Sequence, residues 1–382
     1  MKRTLSIAMA ILMIASCFAF AGCKSKDSTT ADAIKIGGTG PLTGGAAIYG
    51  NAAKQGAEIA VAEINALGGL QFELKYEDDT NDAEKGVNAY NALKDWGMQI
   101  FLGSVTSTPA GATSDLAFED RYFTLTPSAS STSVVEGNDN VFQMCFTDPN
   151  QGLASAEYIS GKALASKVAV IWKNDDVYSK GIHDTFLTKA AEVGLDVVSD
   201  TTFTSDSAND FSVQLTSAQN AGAELLFLPM YYEPASLILA QASAMGYAPL
   251  YFGVDGMDGI LTLDNFDTSL AEGVMLLTPF SADATDAKST AFVTSYQTLY
   301  GEVPNQFAAD GYDVVWAIYE ACKTKQITTD MDHTEICALL IDAFCTMTFD
   351  GITGTATWSA DGTVSKNPKG MVIQNGVYVG MD

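Results

Sequence analysis

Apolar and polar positions along the chain alternate between short β-rich runs and stretches of helical periodicity, in two successive series. Ile34–Gly38 reads as a strand, followed by a glycine-rich loop and a helix from about Asn51 to Ala66 that stops at Gly68-Gly69. Leu74–Tyr76, a helix over 82–96, the strand Ile100–Gly103, a helix near 109–119 and the strand Tyr122–Leu125 complete the first series. The second begins after Asp148-Pro149. It holds Lys167–Trp172, a helix from Lys180 to Val193 closed by Gly194, and Leu195–Val198. Helix 211–221, strand Glu224–Leu228, helix 234–245 closed by Gly246, and strand Leu250–Phe252 follow. Residues 286–300 and 307–324 are helical again, and Gly354–Val379 reads as short strands with turns at Asp361-Gly362 and Asn375-Gly376. This alternation predicts an α/β protein with parallel sheets covered by helices, in two lobes between which the chain crosses. No internal repeat is visible.

The first residues do not belong to that pattern. Lys2 and Arg3 precede an uncharged apolar stretch from Leu5 to Phe20, short for a membrane span and placed as a targeting segment. It ends in Phe20-Ala21-Gly22-Cys23, which resembles the lipobox of bacterial lipoproteins; on that resemblance residues 1–22 are a signal peptide and Cys23 carries lipid. Residues 24–33, KSKDSTTADA, are small and polar and read as a tether. No other segment approaches a membrane span, so the protein is expected to be anchored to the membrane without crossing it.

About 360 residues follow the leader, enough for two domains. The composition, 47% hydrophobic and 17% charged, suits a globular chain with substantial cores. Without Lys2 and Arg3, 18 basic residues face 46 acidic ones, a formal charge of −28 that argues against nucleic acid as a partner. The acidity is dispersed, as solubility requires. Arginine is scarcer still: beyond Arg3 only Arg121 occurs, so a bidentate clamp on a ligand carboxylate could come from that residue alone. Otherwise hydroxyls and backbone N–H groups must hold an acid.

Catalytic patterns are missing from the sequence. Gly38-x-Gly40 meets Thr43 where a dinucleotide loop needs a third glycine, and no Gly-Lys-Ser/Thr follows. His183 and His333 are too few for metal or triad chemistry and read as surface residues on helices; no G-x-S-x-G elbow occurs. Neither a metal nor a cofactor is implied. Cys145, Cys322, Cys337 and Cys345 remain after the leader, and Cys322 with either Cys337 or Cys345, on adjacent helices, is the favoured pair for a disulfide in an exported protein.

Read in order, IKIGGTGPLTGGAAIYGNAAKQGAEIAVAEINALGGL, YEDDTND, LGSVTSTPAGATSD, TPSASS, FTDPNQG, YSKG, PMYYEP, FGVDG and FAADGYDVVWAIYEA resemble the signatures of periplasmic binding proteins of the leucine/isoleucine/valine family. The resemblance spans nearly the whole body. It implies a type I periplasmic binding protein fold, two Rossmann-like lobes joined by a multi-strand hinge. Residues 34–146 plus 279–352 would form lobe one and 147–278 plus 353–382 lobe two. It also implies recognition without an arginine. Ser107 and Ser130 with nearby N–H groups would hold an α-carboxylate at helix starts. The Ser128 carbonyl, the Ser130 hydroxyl and Asp255 would hold an α-ammonium. Asp255 stands where the family often has glutamate, one methylene longer. Tyr49, Tyr178 and Tyr231 would close the cleft, with Tyr232 a rival to its neighbour; without the resemblance these serines would read as turn and cap residues. The implied protein is a monomeric, extracytoplasmic lipoprotein, on the outer face of the cell membrane or in the periplasm, that takes an amino acid by hinge closure and passes it to an ABC permease. Urea or a short amide as ligand, or a ligand-sensing subunit, are the alternatives within the fold; an exported enzyme is the alternative outside it.

Overall fold

The computed structural model describes residues 33–381; the leader, Cys23 and the tether up to residue 32 lie outside them. In the first series β1 (Ile34–Gly40), α1 (Ala47–Ala66), β2 (Phe72–Asp78), α2 (Ala83–Trp96), β3 (Ile100–Leu102), α3 (Ser107–Asp120), β4 (Thr124–Thr126) and β5 (Val141–Gln143) build a parallel sheet of order β2-β1-β3-β4-β5. In the second, α4 (Asp148–Gly161), β6 (Lys167–Lys173), α5 (Val177–Val193), β7 (Asp196–Phe203), α6 (Ser212–Asn220), β8 (Leu225–Leu228), α7 (Tyr232–Ala244), β9 (Leu250–Gly253) and β10 (Met275–Thr278) follow. They repeat the same order, β7-β6-β8-β9-β10, again parallel. Helices on both faces make β8 and β10 uninterrupted buried runs, as such sheets require. Among the described residues no helix is long and apolar enough to cross a membrane.

The chain then returns through α8 (Ala287–Tyr300), α9 (Gln306–Lys325) and α10 (His333–Phe344), the hairpin β11 (Thr348–Gly351) and β12 (Gly354–Thr357), and the hairpin β13 (Lys369–Gln374) and β14 (Val377–Gly380). The last hairpin extends the second sheet antiparallel to β10, on a two-residue turn whose Asn375 and Gly376 both take the positive φ that such a turn needs. Past α10 the chain stays on the first sheet's core as far as Val364. β12 pairs with β11, Trp358 lies on Phe344 with ring centroids 4.6 Å apart and donates to the carbonyl of Gln143 at 2.7 Å, and Val364 joins the first sheet's core. The chain rejoins the second sheet only at β13.

Four stretches absent from the sequence prediction are α4, β5, β10 and β11. α4 was hidden because Thr147-Asp148-Pro149, read as a turn, is a helix start: Thr147 caps it and proline occupies its first turn. Two other expectations change. His183 is a buried residue, its ring stacked on Trp172 at 4.0 Å with its nitrogens 2.9 Å from Asp184 and 3.1 Å from Asp200, while His333 stacks on Tyr122 at 4.2 Å. Cys322, Cys337 and Cys345 are free thiols, as is Cys145; apolar packing, not a covalent bridge, seats α10 on α9.

The tightest helix pairing is between α1 and α9. A Cβ on Gly56 would stand 1.8 Å from the carbonyl oxygen of Ala308, and one on Gly311 would stand 2.1 Å from that of Ala53. The two backbones meet across reciprocal glycines with no room for a methyl group. This contact aims the start of α1, with Tyr49, at the start of α9, with Phe307; their rings are 4.3 Å apart. Gly56→Ala or Gly311→Ala should therefore cost about 1–3 kcal/mol, read as a lower urea midpoint at unchanged slope, and an unaltered midpoint would refute the contact.

Candidate ligand-binding site

Every expected site residue lies beyond the carboxyl end of a strand, where doubly wound sheets bind ligands. Tyr49 follows β1, Ser107 follows β3, and Ser128 and Ser130 follow β4; Tyr178 follows β6, Tyr231 follows β8 and Asp255 follows β9. The strand ends of the two sheets face each other, so these residues converge from opposite sides. Tyr49, Ser107, Ser128, Tyr178, Tyr231 and Asp255 border one cavity together with Val105, Thr106, Gly256 and Phe307. The space left there is about 10 Å³, room for one water. An amino acid can enter only if the two sides separate.

On the first side, the start of α3 supplies the donors. Ser107 opens the helix after Thr106, whose hydroxyl, buried and without a partner, also faces the cavity. The first turn of a helix leaves N–H groups unpaired and carries positive partial charge, so a carboxylate is favoured there. Ser107 Oγ accepts from the amide of Ser131 at 3.2 Å, which ties the two serine loops together. Ser130 lies beside this wall: it is fully buried, its carbonyl accepts from the amide of Asp148 at 2.9 Å, and its hydroxyl has no partner among the described residues. Arg121 takes no part. It ends α3 in the left-handed conformation and forms a forked pair with Asp139 at the far, exposed end of the helix.

On the second side, Asp255 sits in a short 3-10 turn, Asp255–Met257, and is held from three directions. Tyr178 donates its hydroxyl to Asp255 Oδ1 at 2.5 Å and accepts from the amide of Gly256 at 2.9 Å. Gln151 accepts from the Asp255 amide at 3.1 Å, and Gln306 donates to its carbonyl at 2.7 Å. Burial pushes the carboxyl up to about 6, with the hydrogen bond from Tyr178 pulling the other way. No cation is bonded to it among the described residues, because the buried Lys366 is engaged with Thr353 and lies 3.9 Å from Asp310. Asp255 is a desolvated carboxylate short of a counter-charge.

Tyr49 joins the sides. Its hydroxyl donates to the carbonyl of Gly256 and accepts from the amide of Tyr232 at 3.2 Å, and its ring meets those of Tyr231, Tyr232 and Phe307 at 4.3–5.2 Å. Of the two adjacent tyrosines, Tyr231 borders the cavity, while Tyr232 turns its hydroxyl to the amide of Ile48. Thr106, Phe307 and Gln151 were not singled out from the sequence. All three lie within quoted runs, LGSVTSTPAGATSD, FAADGYDVVWAIYEA and FTDPNQG, but which side of a helix Phe307 and Gln151 turn to the site is decided only by packing.

A family model described as periplasmic binding protein matches residues 33–376. The chain is 33% identical over 250 residues to Leu/Ile/Val-binding protein homolog 3 of Brucella melitensis, an alignment of 64% of this chain and 67% of that one. Its fold matches the leucine-binding protein LivK of Thermotoga maritima with a TM-score of 0.83 at 26% identity, over 91% of this chain and 98% of the other. It matches LivJ of Streptococcus pneumoniae, a branched-chain amino acid transporter substrate-binding protein in complex with isoleucine, with a TM-score of 0.82 at 29% identity, over 91% and 97%. With strand order, facing strand ends and the length of the match in agreement, the chain belongs to the periplasmic binding protein family.

Proposed function

We propose that this protein is an extracytoplasmic solute-binding lipoprotein that captures an amino acid, branched-chain or related, and hands it to an ABC permease. The observation that carries the proposal is the polarity of the cavity. Hydroxyls and a helix start face it from one side, and a desolvated carboxylate with tyrosines faces it from the other. An α-amino acid has the complementary charge order, carboxylate toward Ser107 and ammonium toward Asp255, with its side chain against Val105, Tyr49 and Phe307. The names of the relatives support the same class of ligand.

The mechanism is capture by closure. Ligand docks first on the serine loops, where the donors are pre-arranged, and the second lobe swings over it about the stretches linking the two sheets. The closed form is then stabilised by contacts that the open form lacks, chief among them the ammonium–Asp255 pair and the Tyr49 bonds to Tyr232 and Gly256. No bond of the ligand is made or broken. A permease would read the closed surface, and a lipid on Cys23 would hold the protein near it.

A thermal-shift screen of full-length protein in detergent tests the ligand class: branched-chain L-amino acids should raise the melting temperature with concentration, and urea and simple amides should not. Calorimetry on Ser107→Ala should show affinity for the amino acid about tenfold weaker. Asp255→Asn, which leaves a buried ammonium unpaired, should weaken it by roughly 30-fold or more. A response to urea or amides alone would overturn the ammonium role of Asp255.

Acidity separates the two effects of that carboxylate. Because its proton affinity is higher folded than unfolded, Asp255 on its own destabilises the ligand-free protein above pH 6, by on the order of 2 kcal/mol, and this cost fades as pH falls toward 4. Affinity for the amino acid runs oppositely, since only the carboxylate pairs with ammonium. Asp255→Asn should thus melt higher than wild type at pH 7.5 without ligand, with the gap roughly halved by pH 5 and closing toward pH 4, and the wild-type ligand shift should shrink as pH falls through 6. A gap that does not change with pH would refute the assignment. Separately, Cys23→Ser should move the protein from the membrane to the soluble fraction of cells; retention on the membrane would rule out the lipid anchor.

A further inference from the structure

Asp148, the first residue of α4, is a second carboxylate in this region that no role described so far uses. It is 1% exposed, and among the described residues neither of its side-chain oxygens has a hydrogen-bond partner. Leaving such a group unpaired in a folded interior is expensive, and it persists only where something is gained. The fold makes space for it: a Cβ on Gly181 of α5 would stand 3.1 Å from both Cβ and Oδ2 of Asp148, so a glycine there lets the carboxylate lie flat against the facing helix. Its amide is tied to the carbonyl of Ser130, which places the two side chains side by side. Ser130 has the matching deficit, a fully buried hydroxyl without a partner.

The two deficits fit a single arrangement. A serine hydroxyl that accepts a hydrogen bond from an ammonium group must give its own hydrogen to some acceptor. Ser130 is the neighbour whose hydroxyl favours the ionised form of Asp148, acting against burial and against the charges of Asp255 and Asp176; Tyr231 and Cys145 are the other titratable groups that feel Asp148. One turn further along α4, Gln151 accepts from the amide of Asp255, so the same helix end governs both residues expected at the ammonium.

We propose that Asp148 is a positioning residue for amine recognition: it takes the hydroxyl hydrogen of Ser130 and thereby turns a serine lone pair toward the ligand's ammonium group. The proposal rests on the amino-acid reading above and sharpens it. Two buried carboxylates, one direct and one acting through a serine, select a protonated amine over an isosteric hydroxyl or a neutral amide. The carboxylate end of the ligand is untouched by Asp148.

The test compares two probes by calorimetry on detergent-solubilised full-length protein: whichever of L-leucine, L-isoleucine and L-valine binds tightest, and the 2-hydroxy acid with the same side chain. Asp148→Asn should weaken the amino acid about tenfold, the loss of one charge-assisted hydrogen bond, and the hydroxy acid less than about threefold. Gly181→Ala, which crowds Asp148 without removing its charge, should produce the same selective loss to a smaller degree and keeps the test open if the first variant does not fold. Equal losses for both probes, or no loss for either, would overturn the role of Asp148 while leaving the amino-acid reading in place. Failure of the wild type to bind any of the three amino acids would overturn that reading and this proposal together.

Discussion

Much of this molecule depends on two backbones being allowed to touch. α1 is the first helix of the described chain and α9 comes more than two hundred residues later, yet Gly56 and Gly311 bring them to a separation at which each meets the other's carbonyl oxygens. That long-range contact closes the first lobe around its sheet and sends the chain back over it after the second sheet is complete. It also decides the aromatic wall of the site, since Tyr49 and Phe307 stand at the starts of the two helices so joined. A wider crossing would leave the sheets intact and the wall misplaced.

The charge arrangement follows from a similar economy. A body with one arginine, spent at the far end of α3 on Asp139, has no guanidinium to offer a ligand, and a helix start with two hydroxyls borders the cavity instead. The buried lysine is likewise committed. Lys366 lies beside Asp310 and bonds Thr353, while Asp313 gathers the amides of Ile352 and Thr353, so this cluster pins the returning hairpin to α9. Among the described residues Asp255 and Asp148 are left without fixed cations.

Features coded locally could be read from the sequence. Gly194 and Gly246 end helices where expected, Asn375-Gly376 turns a hairpin, and the alternation of runs foretold two parallel sheets. The resemblance named residues that follow strand ends, and six of the seven border one cavity. What could not be read depends on packing. Ser128 and Ser130 share one face by alternation, and only packing shows that Ser130 is fully buried with its carbonyl tied to the amide of Asp148. His183 looks like any helix-surface histidine until Trp172 is laid across it. Thr147-Asp148-Pro149 is as good a turn as a helix start, and the difference lies in whether the residues after it have a core to cover. Those of α4 do.

The Tyr49 hydroxyl binds Gly256 and Tyr232 through protein atoms alone. Its strength therefore belongs to the scaffold and not to the cargo. A protein built this way holds part of its affinity in a hinge balance, and apparent binding scales with the share of molecules already closed. Selection can retune the concentration at which such a receptor fills by altering Tyr232, whose ring packs on Tyr49 and does not border the cavity, leaving the residues that do in place. Breadth of diet and sensitivity to scarcity are then separate inheritances, written in different residues of one cleft.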